Sequence, residues 1–255
     1  MSWIDTHDHP IASGDFRKQC ADRLDTDGAL VLSGFFTSAF VDAVRHESGG
    51  REDEGFFASS THNIWLTPPD ADLADNHIFN RQIVSTKGLL ADDQVSERSP
   101  LRDVYNNPAF RSFIADVVGV AAVYPYDDAL SSINVHFHRD GEELGWHFDN
   151  SSFAVTMLIQ PPVAGGEFEY VKDLRNAEVD EQNFTGVQTA IDTRAGVETL
   201  NFAPTDLVLF RGRNSMHRVT PSSGDRTRIL VVMAFNTEPG IGLSESAKAT
   251  FYGRS

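Results

Sequence analysis

The residues His147-Phe148-Asp149 place an imidazole and a carboxylate two positions apart. They follow Gly145-Trp146 in a short run whose composition predicts a β-strand. Because side chains alternate across a strand, His147 and Asp149 are predicted to project from the same face, where both could bind one metal ion. The other His-x-Asp triplet, residues 138–140, runs directly into Gly141, and an Asp-Gly pair predicts a hairpin turn. The triplet at 147–149 is therefore the stronger candidate.

A third metal ligand is expected from a distant part of the chain, and His217 fits this role best. It lies 70 residues after His147, in another strand-like run. Two histidines and one carboxylate leave three coordination positions open, which is the arrangement of non-haem Fe(II) oxygenases. Taken singly, the residues have structural alternatives: a hydrogen-bonded pair for His147 and Asp149, and a backbone hydrogen bond for His217. The combination of all three favours a metal site.

Two arginines follow His217 and offer a binding group for a carboxylate ligand. Arg226 and Arg228 lie in Gly224-Asp225-Arg226-Thr227-Arg228, at the entrance to an apolar strand. They share parity, so alternation alone permits either to point inward. A guanidinium binds a carboxylate through two parallel hydrogen bonds, and one buried arginine would suffice. The alternative is a pair of exposed charges at the start of the strand.

The order of these motifs resembles that of the Fe(II)/2-oxoglutarate-dependent oxygenase superfamily. The resemblance covers about residues 131–236, and the motifs are specific as an ordered set. Within the superfamily, the sequence, including Phe251-Tyr252-Gly253-Arg254, is similar to a bacterial branch of hydroxylases and halogenases that act on free amino acids, lysine among them. The matching segments are Gly145-Trp146-His147-Phe148-Asp149, Ala164-Gly165-Gly166-Glu167-Phe168-Glu169-Tyr170, residues 206–210, residues 217–221 and Arg226-Thr227-Arg228.

The resemblance implies a mainly β fold with a double-stranded β-helix core, which is a jelly-roll, cupin-like architecture. It implies His147, Asp149 and His217 as ligands of Fe(II), with 2-oxoglutarate as co-substrate and O2 as oxidant. Halogenases of this class replace the metal-binding aspartate by glycine or alanine, so the presence of Asp149 implies hydroxylation. No catalytic side chain beyond the metal ligands is expected, because the cofactors carry the chemistry.

The same resemblance implies that Arg228 or Arg226 binds the distal carboxylate of 2-oxoglutarate. Members of the superfamily often carry a hydroxyl or an amide two residues after this arginine. Here the corresponding position is Leu230 after Arg228, or Arg228 itself after Arg226, so the choice between the two arginines stays open. The register that leads into Ala234-Phe235-Asn236 favours Arg228.

The function implied is hydroxylation of an unactivated C–H bond of a small free amino acid, with release of succinate and CO2. A cationic, lysine-like substrate needs a cation for its carboxylate and anions for its amines. The residues expected to bind it are Arg81, Asp127 and Asp128, with His136 and His138 lining the pocket. The alternatives are a natural-product tailoring oxygenase that acts on a larger substrate, and a non-catalytic jelly-roll binding module.

Short strands cut by turn residues dominate the chain from residue 131 onward, which is typical of a sandwich, barrel or jelly roll. We expect one domain in three parts: an N-terminal α/β flanking region at 1–128, the catalytic core at 129–240, and a C-terminal helix or tail at 241–255. Residues 37–49 and 108–118 have helical patterns, and Thr37 is suited to cap the first of these. The polar segment 172–193 is expected to be a long insertion between strands.

Composition limits the classes of molecule that the protein is expected to bind. The formal net charge is −16, which argues against nucleic acid and anionic membranes as ligands and leaves a small molecule as the expected one. The single cysteine, Cys20, permits no internal disulfide, and no apolar leader or membrane-spanning run is visible, so we expect a cytoplasmic protein. The oligomeric state stays open, with a homodimer among the alternatives.

Overall fold

Two antiparallel sheets form the framework of the computed structural model, which describes residues 3–254. The large sheet has seven strands in the order β1-β10-β6-β13-β4-β3-β2. These strands are β1 (Ala29–Leu32), β2 (Phe56–His62), β3 (Ile83–Leu90), β4 (Ile133–His138), β6 (Ala154–Gln160), β10 (Leu207–Phe210) and β13 (Arg228–Met233).

The small sheet has four strands in the order β5-β11-β8-β9. They are β5 (Leu144–His147), β8 (Phe168–Val171), β9 (Glu198–Leu200) and β11 (Met216–Val219). A two-stranded ladder of β7 (Ala164–Gly165) and β12 (Ser222–Ser223) accompanies the two larger sheets. Ring contacts of Phe210 on the large sheet with Phe168 and His217 on the small one show that the two sheets face each other. The predicted jelly-roll core is confirmed.

Helices cover the outer face of the large sheet. The main hydrophobic core joins the first four helices to apolar residues of β4, β6, β10 and β13. The helices are α1 (Gly14–Asp27), α2 (Ser38–Ser48), α3 (Pro100–Tyr105) and α4 (Pro108–Val118), with α5 (Phe184–Thr193) and α6 (Glu245–Tyr252) elsewhere.

Strand β4 shows how the sequence separates the two faces of the large sheet. Its residues alternate as Ile-Asn-Val-His-Phe-His. Ile133, Val135 and Phe137 belong to the helix-covered core, whereas His136 and His138 project from the opposite face. We call this opposite face, which looks toward the small sheet, the inner face. The alternation therefore places polar side chains inside the fold, where they need partners.

The predicted helix boundaries agree well with the structure. Helix α2 begins after Thr37, whose side chain accepts a hydrogen bond from the backbone N–H of Phe40, and ends at Gly49. Helix α4 spans Pro108–Val118, as its pattern predicts. The segment 172–193 is not an irregular loop throughout, because its second half forms α5. Val187 and Ala190 of α5 are buried in a smaller core with Trp65 and Phe148, and this packing stabilises the helix.

The first half of the chain contributes more to the sheet than its sequence indicates. Strands β2 and β3 lie in the stretch that sequence patterns describe only as extended, and they extend the large sheet at one edge. The pattern is weak because β2 is a mostly exposed edge strand with polar residues on both faces. The division at residues 128 and 240 stays a prediction. Among the helices of residues 3–254, none has the length and apolar composition needed to cross a bilayer.

Candidate active site

His147 and His217 lie opposite each other on neighbouring strands of the small sheet. They are register partners in the pairing of β5 with β11, and their ring centroids lie 4.2 Å apart. Asp149 follows the end of β5, and its Oδ1 lies 3.6 Å from Nε2 of His147 and 3.5 Å from Nε2 of His217. One ligand atom of each residue thus lies within 4.8 Å of the others. This spacing is suited to a shared metal ion.

Backbone carbonyls fix the orientation of both imidazoles. Nδ1 of His147 lies 2.8 Å from the carbonyl oxygen of Gly145, and Nδ1 of His217 lies 3.0 Å from that of Ser215. A carbonyl only accepts hydrogen bonds, so Nδ1 carries the proton in each neutral ring. The lone pair of each Nε2 is then free on the side of Asp149. Metal-binding histidines typically donate their other N–H in this way, so the donor set fits a divalent transition metal.

Burial and charge set the protonation states of the triad. His147 and His217 are 6% and 5% exposed. Burial raises the pKa of Asp149, but the imidazoles of His217 and His147 together lower it to well below its usual range. Burial and the neighbouring His217 lower the pKa of His147. At neutral pH the site therefore offers a carboxylate and a neutral imidazole, which are the forms that bind a metal.

Arg228 is a buried cation on the inner face. It is 1% exposed, and its Nη1 donates a hydrogen bond to Nδ1 of His138 at 3.3 Å. Burial lowers the pKa of Arg228 to about 10, so the guanidinium remains charged at neutral pH. Within residues 3–254 it forms no ion pair with a carboxylate. Because a buried charge without a counter-ion is costly, Arg228 is suited to bind an anionic ligand.

Arg226 lies in a different environment from Arg228. It precedes β13, is exposed, and donates from Nε and Nη2 to the carbonyl oxygens of Pro161 and Pro162 at 2.8 and 2.6 Å. These backbone contacts hold it at the surface.

His136 and His138 line the inner face near Arg228. Burial, followed by the positive charges of Lys87 and Arg228, holds the pKa of both imidazoles well below its usual range. Since a guanidinium only donates, Nδ1 of His138 must accept and its Nε2 must carry the proton. That N–H is buried and has no hydrogen-bond partner among the described residues, and neither has the buried hydroxyl of Ser222. A bound ligand or an ordered water would satisfy such groups.

A surface cavity of about 580 Å³ lies between the loop after β8 and the turn before β11. Its lining carries one cation, Arg175, and three acidic side chains, Asp173, Glu178 and Glu181. Arg175 stacks over the ring of Phe148 at 4.1 Å from its centroid. Burial and Arg213 lower the pKa of Arg175, while the negative charges of Glu178 and Asp149 oppose the shift. Arg175 is thus within electrostatic reach of the metal-binding carboxylate.

Among residues 3–254, the contacts found for Arg81, Asp127 and Asp128 are with residues other than the three metal ligands. Arg81 is 43% exposed and forms an ion pair with Asp192 of α5 at 2.8 Å. Asp128 is a turn-forming residue whose carboxylate accepts from the backbone N–H groups of Leu130, Ser131 and Leu243. Asp127 is exposed. That these three bind substrate stays a prediction, although Arg81 and Asp128 already have partners in the chain.

Three residues near the site were not predicted from the sequence. Lys87 lies on β3, a strand that the sequence did not predict. A single charged residue within a strand pattern would have indicated Lys87. Arg175 carries no motif. Gly212 has no sequence signal either, yet a Cβ atom there would lie 1.9 Å from Oδ2 of Asp149. Only the folded chain shows that this position must lack a side chain.

Comparison with models of known protein families shows which family the chain belongs to. The family model described as HalD, Halogenase D, matches residues 83–250, which include the triad and Arg228. The chain belongs to the Halogenase D family. Sequence comparison with curated proteins gives no match.

Solved structures share the fold of this Halogenase D family member. A 2OG-Fe(II) oxygenase family oxidoreductase from Burkholderia pseudomallei matches with a TM-score of 0.55 and 12% identity, over 89% of this chain and 93% of that one. HygX from Streptomyces hygroscopicus gives 0.57 and 13%, over 89% and 90%. A Pseudomonas putida prolyl-4-hydroxylase gives 0.52 and 13%, over 85% and 96%. With the family match, these likenesses confirm the resemblance to the Fe(II)/2-oxoglutarate-dependent oxygenase superfamily.

Proposed function

We propose that the chain is an Fe(II)- and 2-oxoglutarate-dependent dioxygenase that hydroxylates a small free amino acid, with release of succinate and CO2. The observation that carries the proposal is the combination of a compact His-Asp-His triad with a buried arginine that has no anionic partner. The first fits the metal, and the second fits the distal carboxylate of 2-oxoglutarate. A non-catalytic binding module would have no need of both.

In this proposal the chain binds and orients, while the cofactors supply the chemistry. His147, Asp149 and His217 would hold Fe(II), which with 2-oxoglutarate activates O2 for C–H oxidation. The hydrogen bonds of both Nδ1 atoms to backbone carbonyls fix the imidazole rings. Arg228 would hold the far end of the co-substrate. No other side chain needs to act as acid or base.

The retained Asp149 supports hydroxylation rather than halogenation, despite the name of the family. Its carboxylate lies at 3.5–3.6 Å from both Nε2 atoms and thus takes the third ligand position. The halogenases that this sequence resembles leave that position to halide by lacking the aspartate. With the aspartate in place, hydroxyl transfer is the expected outcome.

We assign a small, cationic amino acid substrate to the cavity lined by Arg175, on which the charge of Asp149 acts. Arg175 offers a partner for its carboxylate, and Asp173, Glu178 and Glu181 offer partners for its ammonium groups. These residues are candidates in addition to the predicted Arg81, Asp127 and Asp128. A larger natural product is the second candidate, because the structure of HygX, which shares the fold, has hygromycin B bound.

We expect lysine, ornithine or arginine to stimulate succinate release by the Fe(II)-loaded protein above its uncoupled background. In Arg175→Gln the substrate concentration for half-maximal stimulation should rise about 10-fold or more, because one partner of a desolvated charge pair is lost. Arg81→Gln is the matched control. It should change this value by less than about 2-fold, since an exposed ion pair contributes little.

The substrate assay separates the alternatives. Stimulation by neutral amino acids alone, or by aminoglycosides but no amino acid, would show that the substrate is not a cationic amino acid. An effect of Arg81→Gln larger than that of Arg175→Gln would return the carboxylate to Arg81. We further propose a reducing, cytoplasmic setting, because the single cysteine, Cys20, is a buried free thiol.

A further inference from the structure

Lys87 places a second cation on the inner face of the large sheet. Leu89 of β3 is the register partner of His136 of β4, and paired residues of antiparallel strands share a face. Lys87 lies two residues before Leu89, so it shares this face and lies level with His138. His138 in turn is the register partner of Arg228. Lys87, His138 and Arg228 therefore form one row across β3, β4 and β13.

The ammonium group of Lys87 has no counter-ion in this row. Among residues 3–254 it makes no hydrogen bond and no ion pair. Burial lowers the pKa of Lys87 to about 8, and the charge of Asp149 is the influence that opposes this shift. The neighbouring His136 and His138 are neutral. An amine in such surroundings is suited to bind an anion, as Arg228 is.

We propose that Lys87 binds the C1 carboxylate of 2-oxoglutarate while Arg228 binds its distal carboxylate. This inference rests on the proposed function. The two residues then form a clamp that binds both charged ends of a dianion. Strand β4 lies between the two strands that carry them. Adjacent strands lie about 4.8 Å apart, so the Cα atoms of Lys87 and Arg228 are separated by roughly 10 Å. A five-carbon diacid can span two cations at a separation of this order.

The assignment of the two ends follows from what each cation is near. Strand β3, which carries Lys87, is joined to the segment of β5. The N–H of Thr86 donates to the carbonyl of Glu143 at 2.8 Å, and the N–H of Gly145 donates to the hydroxyl of Ser85 at 2.9 Å.

Strand β5 ends at the metal ligand His147, and the charge of Asp149 acts on Lys87. Arg228 lies on β13, whose partners β4 and β6 both belong to the large sheet. A 2-oxo acid chelates a metal through its keto oxygen and the adjacent carboxylate, so C1 would be the end of the co-substrate at the triad. The cation closer to the triad therefore belongs to C1, and the more distant cation to the far end.

Binding of three ligands to the anaerobic, Fe(II)-loaded protein tests the clamp. 2-Oxoglutarate has both carboxylates, 2-oxopentanoate lacks the distal one, and glutarate lacks the keto group. Titrations by the visible charge-transfer band, and by calorimetry for glutarate, give Kd for wild type, Lys87→Met, Arg228→Met and the exposed control Lys18→Met. Fe(II) stoichiometry and circular dichroism establish that each variant is folded and loaded, and Lys87→Gln serves as a second, smaller replacement.

Lys87→Met is expected to raise Kd by about 30-fold or more, and by a similar factor for 2-oxoglutarate and 2-oxopentanoate. Arg228→Met should raise Kd for 2-oxoglutarate but leave that for 2-oxopentanoate nearly unchanged. Kd for glutarate should rise in both variants, and Lys18→Met should match wild type. In the ligand-free protein, Lys87→Met should not lower the melting temperature, because it removes an unpaired buried charge.

Two results would overturn the clamp. If Lys87→Met and Lys87→Gln bind both keto acids as wild type does, Lys87 does not touch the co-substrate. If they weaken only 2-oxoglutarate, Lys87 binds the distal end and the assignment of ends is wrong. If wild type itself gives no charge-transfer band with 2-oxoglutarate, the proposed function fails, whatever Lys87 does.

Discussion

Arg228→Ala is expected to raise the Kd for 2-oxoglutarate by about 30-fold or more, because truncating one member of a buried charge pair costs at least roughly 2 kcal/mol. The guanidinium is 1% exposed and has no carboxylate partner of its own, so the ligand would supply the missing charge. Without Arg228, the distal carboxylate would be buried against neutral His138. Succinate release at saturating 2-oxoglutarate should recover in part.

Arg226→Ala is the matched control for this substitution. Arg226 carries the same charge two residues earlier, yet it is exposed and donates to the carbonyls of Pro161 and Pro162. We expect its Kd for 2-oxoglutarate to stay within about 2-fold of wild type, because exposed charges contribute little. The opposite ranking of the two variants would show that the distal carboxylate binds at the surface arginine.

Gly212→Ala is expected to weaken Fe(II) binding by about 10-fold or more, the range found when the support of a metal ligand is removed. A Cβ atom at this position would lie 1.9 Å from Oδ2 and 2.6 Å from Cγ of Asp149, and 3.0 Å from Cε1 of His217. Two of the three proposed ligands would have to move. The Asp149 backbone is also tied to the Gly212 carbonyl, so the carboxylate has little freedom to adapt.

Iron stoichiometry after anaerobic loading and gel filtration measures this effect. Gly14→Ala is the control, because a Cβ atom at position 14 has no atom within 4 Å. It should bind iron as wild type does. Full occupancy in Gly212→Ala, with unchanged affinity, would mean that Asp149 is not held against this glycine when the metal binds.

The arrangement of the metal residues could be predicted from sequence because it depends on local alternation. The spacing of His147 and Asp149 predicts by parity that they share one side of the chain. The structure brings both together with His217, although β5 already ends at His147. The choice between Arg228 and Arg226 could not be made in this way, since the two share parity. The structure separates them because β13 begins at Arg228, which leaves Arg226 in the preceding turn. Strand boundaries, rather than alternation, decide which charge is buried.

The second cation and the substrate cavity could not be predicted, because they depend on long-range pairing. Lys87 reaches the inner face only through the register of β3 with β4. Arg175 and Asn214 line one cavity although helix α5 and the two strands β9 and β10 separate them in the sequence. Arg81 looked like a free cation in the sequence, but its partner Asp192 lies 111 residues away. Pairings of this kind leave no local pattern.

Anaerobic titration of the metal-free protein with Fe(II) and then 2-oxoglutarate measures whether the metal site forms. We predict one iron per chain and a weak visible charge-transfer band that appears only when both are present, because three protein ligands leave room for a chelating keto acid. The band should be retained in Arg226→Ala and absent in His217→Ala. A wild-type protein without the band, or a His217→Ala variant that keeps it, would contradict the assignment of the metal site.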